Sequence, residues 1–191
     1  MFLLTPYKGN AYSCAFTGHR PAKLKFKYDE HHPLCIELKQ VLENEIDIMI
    51  KNGVNRFLSG MALGIDIFCA EIVLSRKAMG NDISLVACVP YQRQAATWPG
   101  KAQQRYHNIL AGCDDIIYFD SGHAVADIFT RNRYLVDNCD VLLACFDNSQ
   151  TGGTAATVNY AIKRGRPVIF VNPVDLSIHH LSNQQLCFFE T

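Results

Sequence analysis

The first residues that could do chemistry form a short polar loop, Thr17-Gly18-His19-Arg20, which follows an apolar run and precedes Pro21. Because glycine has no side chain, a ligand can approach the backbone closely there. The Arg20 guanidinium can donate two parallel hydrogen bonds to a phosphate or a carboxylate, and the His19 imidazole can donate a hydrogen bond or titrate near neutral pH. The loop therefore predicts an anion-binding site. The alternative is a Gly-Pro turn with a solvated arginine.

A second loop runs from Ser59 through Gly60, Met61 and Gly64 to Asp66, and it leads from an apolar run into a helical pattern. This arrangement is typical of a phosphate-binding turn, although it matches neither G-x-G-x-x-G nor G-x-x-x-x-G-K-[ST]. The N–H groups at a helix N-terminus are free to bind an anion. Asp66 could complement the helix dipole in the first turn, or it could hold a ribose hydroxyl or a base edge. The sequence leaves both interpretations open.

A third loop, Gly152-Gly153-Thr154, follows the apolar run VLLACF and precedes another helical pattern. Backbone N–H groups and the Thr154 hydroxyl could together donate hydrogen bonds to a phosphate. The alternative is a flexible turn in which Thr154 caps the following helix. We interpret the loop as a phosphate cradle.

The triplet Arg131-Asn132-Arg133 lies within a further helical pattern. Asn132 falls on the apolar stripe of that helix, and a buried amide needs hydrogen-bond partners. The two arginines project about 200° apart, so one of them is expected to point inward. We expect Asn132 to brace the site while an arginine reaches the ligand. The alternative is that Asn132 only bonds the backbone of a neighbouring loop.

Other residues give weaker signals. Tyr91, Trp98 and Tyr106 could stack on a base, but aromatic residues at helical spacing are more often part of the core. The two adjacent histidine pairs diverge on a helix or a strand, and the sequence has no metal-ligand spacing and no G-x-S-x-G motif. We therefore predict neither a metal site nor a serine triad, and no cofactor.

The rest of the sequence alternates short apolar runs with segments of helical spacing. Runs such as ISLVACV are typical of strands buried on both faces of a parallel sheet. The predicted strands are Tyr12–Thr17, Arg56–Ser59, Ile83–Val89, Asp115–Phe119, Val141–Phe146 and Val168–Val171. The five predicted helices carry apolar stripes at Leu38 to Met49, Leu63 to Leu74, Trp98 to Ile109, Val125 to Val136 and Ala155 to Ile162. The glycines expected to end four of them are Gly53, Gly80, Gly112 and Gly165.

Repeated strand–helix–strand units predict an α/β fold of the Rossmann-like type, doubly wound, with a mainly parallel sheet of about six strands and helices on both faces. The length of 191 residues fits a single domain over 1–191, with a core at about 12–173 and a C-terminal tail at 174–191. In such sheets ligands bind beyond the carboxyl ends of the strands. The three glycine-containing loops are therefore expected to meet at one edge.

Composition narrows the function classes. Lys plus Arg and Asp plus Glu number 18 each, so the net charge is zero and gives no general attraction to nucleic acid or anionic membranes. None of the eight cysteines forms a C-x-x-C pair, and several lie in apolar runs, which predicts reduced, buried thiols. The N-terminal apolar run is too short for a signal peptide, and no run approaches the length of a membrane span. We expect a cytoplasmic protein.

The motifs TGHRP, SGMALGID and RNRYLVDNCDVLLACFDNSQTGGTAATVNYAIKRGRPVIFVNP together resemble the SLOG superfamily, over about residues 12–173. This superfamily includes the DNA-processing protein DprA and the LOG-type nucleotide phosphoribohydrolases. The TGHRP opening and the following Tyr28-Asp29-Glu30 are most similar to its YpsA-like branch. The resemblance implies a Rossmann-like fold with a nucleotide-type ligand over these loops, and a homodimer or higher homo-oligomer.

The resemblance also separates the candidate functions. LOG enzymes carry a catalytic glutamate after their glycine pair, whereas this sequence has Thr157 or Asn159 at that place, and Asp66 or Glu71 would have to substitute. We therefore expect the protein to bind or sense a nucleotide or a nucleotide-derived molecule. The alternatives are a LOG-type phosphoribohydrolase or nucleosidase and, against the zero net charge, DprA-like binding of single-stranded DNA. We expect Arg131→Ala or Gly153→Val to weaken ligand binding and to leave the fold intact.

Overall fold

A central sheet of seven strands organises the chain, and the computed structural model describes residues 12–147 and 151–181. The strands are β1 (Tyr12–Gly18), β2 (Val54–Ser59), β3 (Ser84–Val89), β4 (Asp115–Tyr118), β5 (Val141–Cys145), β6 (Val168–Val171) and β7 (Ile178–Leu181). Their order is β4-β3-β2-β1-β5-β6-β7, and all neighbours are parallel except β6 and β7. The predicted Rossmann-like, mainly parallel α/β fold is confirmed.

Helices cover both faces of the sheet, as predicted. They are α1 (Pro33–Lys51), α2 (Ile65–Ala78), α3 (Gly100–Gly112), α4 (Ala124–Asp137) and α5 (Gly153–Lys163). Successive strand residues point to opposite faces, so Cys14 packs in the core under α1, α2 and α3, whereas Ala15 packs in the core under α4 and α5. This two-sided burial explains why the strands read as continuous apolar runs. None of the helices in the described part of the chain is both long and apolar enough to cross a membrane.

The sheet changes its winding direction at β1. From β1 the chain builds β2, β3 and β4 on one side and then returns to place β5 on the other. The loops that follow β1 and β5 lead to helices on opposite faces, which leaves a crevice at the carboxyl ends of these two strands. The backbone N–H of His19 donates to the carbonyl oxygen of Cys145 at 3.2 Å, which holds the two strand ends together. The fold therefore opens a ligand-sized crevice between two of the predicted loops.

The six predicted strands agree with the structure to within two residues at each end, but β7 was not predicted. It lies in the segment 174–191 that the sequence indicates as a tail, and it pairs antiparallel with β6. Its side chains are mostly exposed, so it lacks the apolar pattern of a buried strand. The tail up to residue 181 is thus part of the sheet, and residues 182–191 lie outside the described part of the chain.

Two helix predictions need correction. On the predicted stripe of α4, Leu135 and Val136 are buried, but Val125 is 69% and Phe129 51% exposed. The buried side of this helix instead carries the polar residues Asp127 and Arg131. Gly112 is the last residue of α3 but does not adopt the left-handed conformation that closes the other three helices.

One acidic side chain sits in the core beneath β7. Glu45 of α1 is 4% exposed, and its Oε2 has no hydrogen-bond partner among the described residues. The Nε2 of His180 on β7 lies 3.7 Å from that oxygen. Burial raises the pKa of Glu45, and the charge of His180 offsets this only in part. A carboxyl group with a raised folded-state pKa stabilises the fold at low pH and loses this contribution as the pH rises.

We therefore expect Glu45→Gln, which removes only the charge, to raise the melting temperature at pH 8. The difference from the parent protein should shrink as the pH falls toward about 4.3, the unperturbed pKa of glutamate. Thermal unfolding followed by circular dichroism across this range measures the effect. Glu37→Gln on the exposed side of the same helix is the control and should have no such pH dependence. Equal or lower stability of Glu45→Gln at pH 8 would contradict the interpretation.

Candidate functional site

Two adjoining depressions lie at the carboxyl ends of the strands. The first, which we call the glycine lobe, has a volume of about 470 Å³ and is lined by the loops after β1 and β5 and by α4. The second, the aromatic lobe, has a volume of about 350 Å³ and is lined by Tyr28, Tyr91 and Trp98 among others. The residues shared by both linings are Arg20, Ala22, Ala62, Ile128 and Arg131. The two lobes therefore form one continuous cleft.

Most of the residues that the sequence singled out come together in this cleft. The glycine lobe is lined by Thr17, Gly18, His19, Arg20, Asp66, Arg131, Asn132, Gly152, Gly153 and Thr154. Ser59, Gly60, Met61 and Gly64 line neither lobe and form the buried turn that supports it. Arg133 points away, with its guanidinium over the ring of Tyr160 at 5.7 Å. Some of the predicted residues therefore line the cleft, whereas others only support its wall.

The turn between β2 and α2 bonds mainly to itself. The Ser59 hydroxyl donates to the carbonyl of Asp66 at 3.0 Å and accepts the N–H of Met61 at 3.1 Å. The Asp66 carboxylate accepts the N–H of Ala62 at 3.2 Å. Gly64 adopts a φ of +98°, and a Cβ there would lie 2.7 Å from the carbonyl oxygen of His19. The turn is therefore locked internally and packed against the loop after β1.

Arg131 braces this turn from the opposite layer of helices. It is 4% exposed, its Nη1 donates to the carbonyl of Gly60, and the same atom lies 3.6 Å from Oδ2 of Asp66. A Cβ on Gly60 would collide with that Nη1, so the close approach requires glycine. Burial raises the pKa of Asp66 and lowers the pKa of Arg131, and their mutual attraction opposes both shifts.

The roles expected within the Arg131-Asn132-Arg133 triplet are therefore different in the structure. As predicted, only one arginine points inward, because Arg131 is buried and Arg133 is exposed. The brace, however, is Arg131 and not Asn132, which is half-buried at the wall of the glycine lobe. The apolar stripe predicted that Asn132 would face the inside of the protein. In the structure, α4 instead turns Arg131 to the inside and leaves Asn132 half-buried.

The N-terminus of α5 opens onto the glycine lobe. The first hydrogen bond of this helix runs from the N–H of Ala156 to the carbonyl of Gly152 at 3.0 Å. The preceding N–H groups of Gly153, Thr154 and Ala155 have no acceptor in the described part of the chain, as is usual at a helix start. They form a set of donors at the positive end of the helix dipole.

Thr154 plays neither of the two roles expected for it. Its hydroxyl donates to the carbonyl of Gly18 at 3.0 Å, so its single proton is already used. The N-cap position is held by Gly152. The side chain of Thr154 thus ties the loop after β5 to the loop after β1, and only its backbone N–H remains for a ligand.

Positive charge surrounds this helix end. Lys23, which the sequence analysis missed, lines the glycine lobe and donates from Nζ to the carbonyl of Thr151 at 3.3 Å. The Arg20 side chain is exposed and makes no hydrogen bond or ion pair with any described residue. Burial lowers the pKa of Arg131, and the nearby Arg20 guanidinium lowers it further. Arg20 and Arg131 thus place two guanidinium groups in the shared lining of the two lobes.

His19 is held inside the protein. It is 1% exposed, its Nε2 lies 2.7 Å from Oδ1 of Asp147, and its ring packs edge-on against Phe146. The His19 imidazole therefore connects the loops after β1 and β5. The backbone carbonyl of His19 separately limits the space for a side chain at Gly64. A direct hydrogen bond from its Nε2 to a ligand would require the contact with Asp147 to break.

The aromatic lobe contains residues for which the sequence gave weak signals or none. Trp98 packs edge-on against Tyr106, with ring centroids 5.3 Å apart, and Tyr106 is part of the core as its spacing indicated. Tyr91 and Trp98 themselves line the lobe, together with the unpredicted Gln94. These residues follow β3 at the same sheet edge. Because ligands of such sheets bind beyond the carboxyl ends of the strands, the sequence could have indicated these residues as well.

The buried position of Arg131 changes the prediction for its replacement. We expect Arg131→Ala to lower the free energy of unfolding by about 3–5 kcal/mol, because it leaves the Asp66 carboxylate buried without its partner. Arg133→Ala on the exposed side of the same helix should change it by less than about 0.5 kcal/mol. Urea denaturation of both variants measures the difference. Equal stabilities would show that Arg131 does not brace the turn.

The sequence matches the YpsA family, described as the YspA SLOG family, over residues 14–175. It is similar to a UPF0398 protein of Halalkalibacterium halodurans, with 29% identity over 150 residues that cover 78% of this chain and 79% of the relative. A UPF0398 protein of Bacillus licheniformis is 25% identical over 171 residues, which cover 86% and 92%. One of Bacillus cereus is 26% identical over 154 residues, which cover 79% and 83%. The family match spans the whole cleft, and the chain belongs to the YpsA family of SLOG proteins.

Proposed function

We propose that this protein binds or senses a nucleotide or a nucleotide-derived small molecule, with a phosphate of the ligand in the glycine lobe. The observation that carries this proposal is the convergence of unused donors on one lobe. The backbone N–H groups at the start of α5 and the Arg20 side chain all border it, and none of them has a partner among the described residues. Helix N-termini and arginine forks are the groups that bind phosphate in many unrelated proteins.

The charge balance of the cleft supports the same ligand class. Arg20, Lys23 and Arg131 line the glycine lobe, whereas Asp66 is its one lining carboxylate among the described residues. An anion beside Arg20 would offset part of this positive charge. Because the net charge of the whole chain is zero, this local excess favours a small anionic ligand over a long nucleic acid.

The geometry favours binding over glycosidic hydrolysis. Of the residues at the place of the LOG glutamate, Thr157 is buried and donates to the carbonyl of Gly153 at 2.8 Å, and Asn159 lies outside the cleft. Glu71 is also outside the glycine lobe and is paired with Arg105. Asp66 is bonded to Ala62 and held by Arg131, so no lining carboxylate of the described chain is free to act as a base.

A thermal-shift screen tests the proposal. The panel contains nucleoside mono-, di- and triphosphates, NAD, ADP-ribose and cyclic nucleotides. A ligand at 100 times its dissociation constant should add about 2.7 kcal/mol of stability, which is readily detected. Reaction mixtures with each ligand that binds are also analysed for free base, since its release would indicate hydrolysis and not simple binding.

We expect Arg20→Ala and Gly153→Val to reduce the shift of any ligand that binds. Arg20→Ala removes an unpaired cation, and a side chain at Gly153 would project into open space at the helix end, so neither change should unfold the protein. Arg133→Ala is the control, because Arg133 is an arginine outside the cleft. No shift with any compound, or a shift that survives both cleft variants, would refute the proposal. The homo-oligomer that the resemblance implies stays a prediction, and light scattering after gel filtration tests it.

A further inference from the structure

The aromatic lobe has the composition of a site for a flat ring. Tyr91 and Trp98 line it beside Pro90, and it lies next to the lobe in which we place the phosphate. Offset stacking on aromatic side chains is a usual way to hold a heteroaromatic ring.

Tyr28 is the unusual member of this lining. It is a large aromatic side chain, and it is 71% exposed. The residue before it, Lys27, has a φ of +50°, which is uncommon for a residue other than glycine. Strained backbone of this kind persists only where the surroundings enforce it, and it is frequent around ligand sites. The loop therefore holds Tyr28 at the rim of the lobe with its ring uncovered.

An ionic cluster fixes the segment that carries Tyr28. Glu30 accepts hydrogen bonds from Arg105 of α3 and from Lys39 of α1, the latter at 2.6 Å. Arg105 is in turn held by Glu71 of α2, with Nε and Nη2 each 2.5 Å from a carboxylate oxygen. Helices α1 and α3 thus anchor Glu30 directly, and Glu30 lies two residues from Tyr28. Such a network restricts the movement of the loop over the lobe.

A polar group beneath the lobe is also unpaired. The Nε2 of Gln94 donates to the carbonyl of Met61, whereas its Oε1 has no partner among the described residues. Gln94 is only 9% exposed and lines the lobe. A buried acceptor without a partner is costly. Because this Oε1 atom is shielded from solvent, an N–H group of a ring in the lobe would reach it only if the Gln94 side chain rotated.

We propose that the aromatic lobe is a nucleobase subsite in which the base stacks on Tyr28, and that Glu30 is a positioning residue for that stack. The inference rests on the proposed function, since the same ligand would place its phosphate in the glycine lobe. Arg20 and Arg131 line both lobes, so a ribose that joins base and phosphate would pass between them.

The test compares AMP, GMP, CMP and UMP with ribose 5-phosphate, which carries the sugar and the phosphate but no base. Isothermal titration calorimetry on the intact protein gives each dissociation constant. The tightest nucleotide should bind about tenfold more tightly than ribose 5-phosphate, the size expected for one base stacked on an aromatic side chain. Tyr28→Ala should remove most of this advantage without weakening ribose 5-phosphate, and Tyr28→Phe should retain it.

The outcomes separate the two proposals. Equal affinities for nucleotides and ribose 5-phosphate, or an advantage that survives Tyr28→Ala, would overturn the base subsite and leave the phosphate site in place. If neither class of probe binds, the base subsite is overturned, and the thermal-shift screen decides separately whether the proposed phosphate site holds. Because Tyr28 is exposed, its replacement should not affect the fold, and thermal unfolding checks this.

The role of Glu30 has its own matched control. Glu30→Gln and Glu71→Gln each remove one carboxylate from Arg105, but only Glu30 belongs to the segment that presents Tyr28. We expect Glu30→Gln to lower the ratio of nucleotide affinity to ribose 5-phosphate affinity, and Glu71→Gln to leave it unchanged. Identical ratios in the two variants would show that the cluster is structural and does not position the base.

Discussion

The buried contact between Arg131 and the turn before α2 is the constraint on which the rest of the cleft depends. Arg131 extends from α4 on one face of the sheet and reaches Gly60 and Asp66, whose helix packs on the other face. The contact therefore ties the two helical layers together across the carboxyl edge of the sheet. A buried ion pair of this kind contributes little net stability compared with apolar packing, but removing one partner is costly. The main effect of the Arg131 contact is therefore to fix the position of the turn before α2.

Around this brace, the loops at the switch point bind to one another through their polar groups. Thr154 bonds to Gly18, and His19 contacts Asp147, so the loop after β1 is held by the loop after β5. Many of the residues that look like ligand donors in the sequence are thus occupied by neighbouring loops. What remains for a ligand is mainly backbone N–H groups at the start of α5 and the side chains of Arg20 and Lys23.

The fold could be predicted from the sequence because strands buried on both faces, such as β3 and β5, leave an uninterrupted apolar pattern. The meeting of the predicted loops at one edge of the sheet followed from the same reasoning, since parallel strands bring their carboxyl ends to one edge. The roles of individual residues could not be predicted in this way. Whether Arg131 or Asn132 faces inward depends on the rotation of α4, and the exposed Val125 and Phe129 disturb the apolar stripe that would indicate it. Tyr28 and Gln94 belong to irregular segments, where no periodicity reports their direction.

The strand order also has a consequence for how this protein could meet other chains. Within residues 12–147 and 151–181, the outer strands of the sheet are β4 on one side and β7 on the other, and each has four residues. β7 adds an antiparallel strand with two exposed histidines beside the apolar β6. Short outer strands offer few unpaired backbone groups to a foreign strand, which is a common protection against aggregation. Among the described strands, continuation of the sheet is therefore an unfavourable route to assembly of this chain.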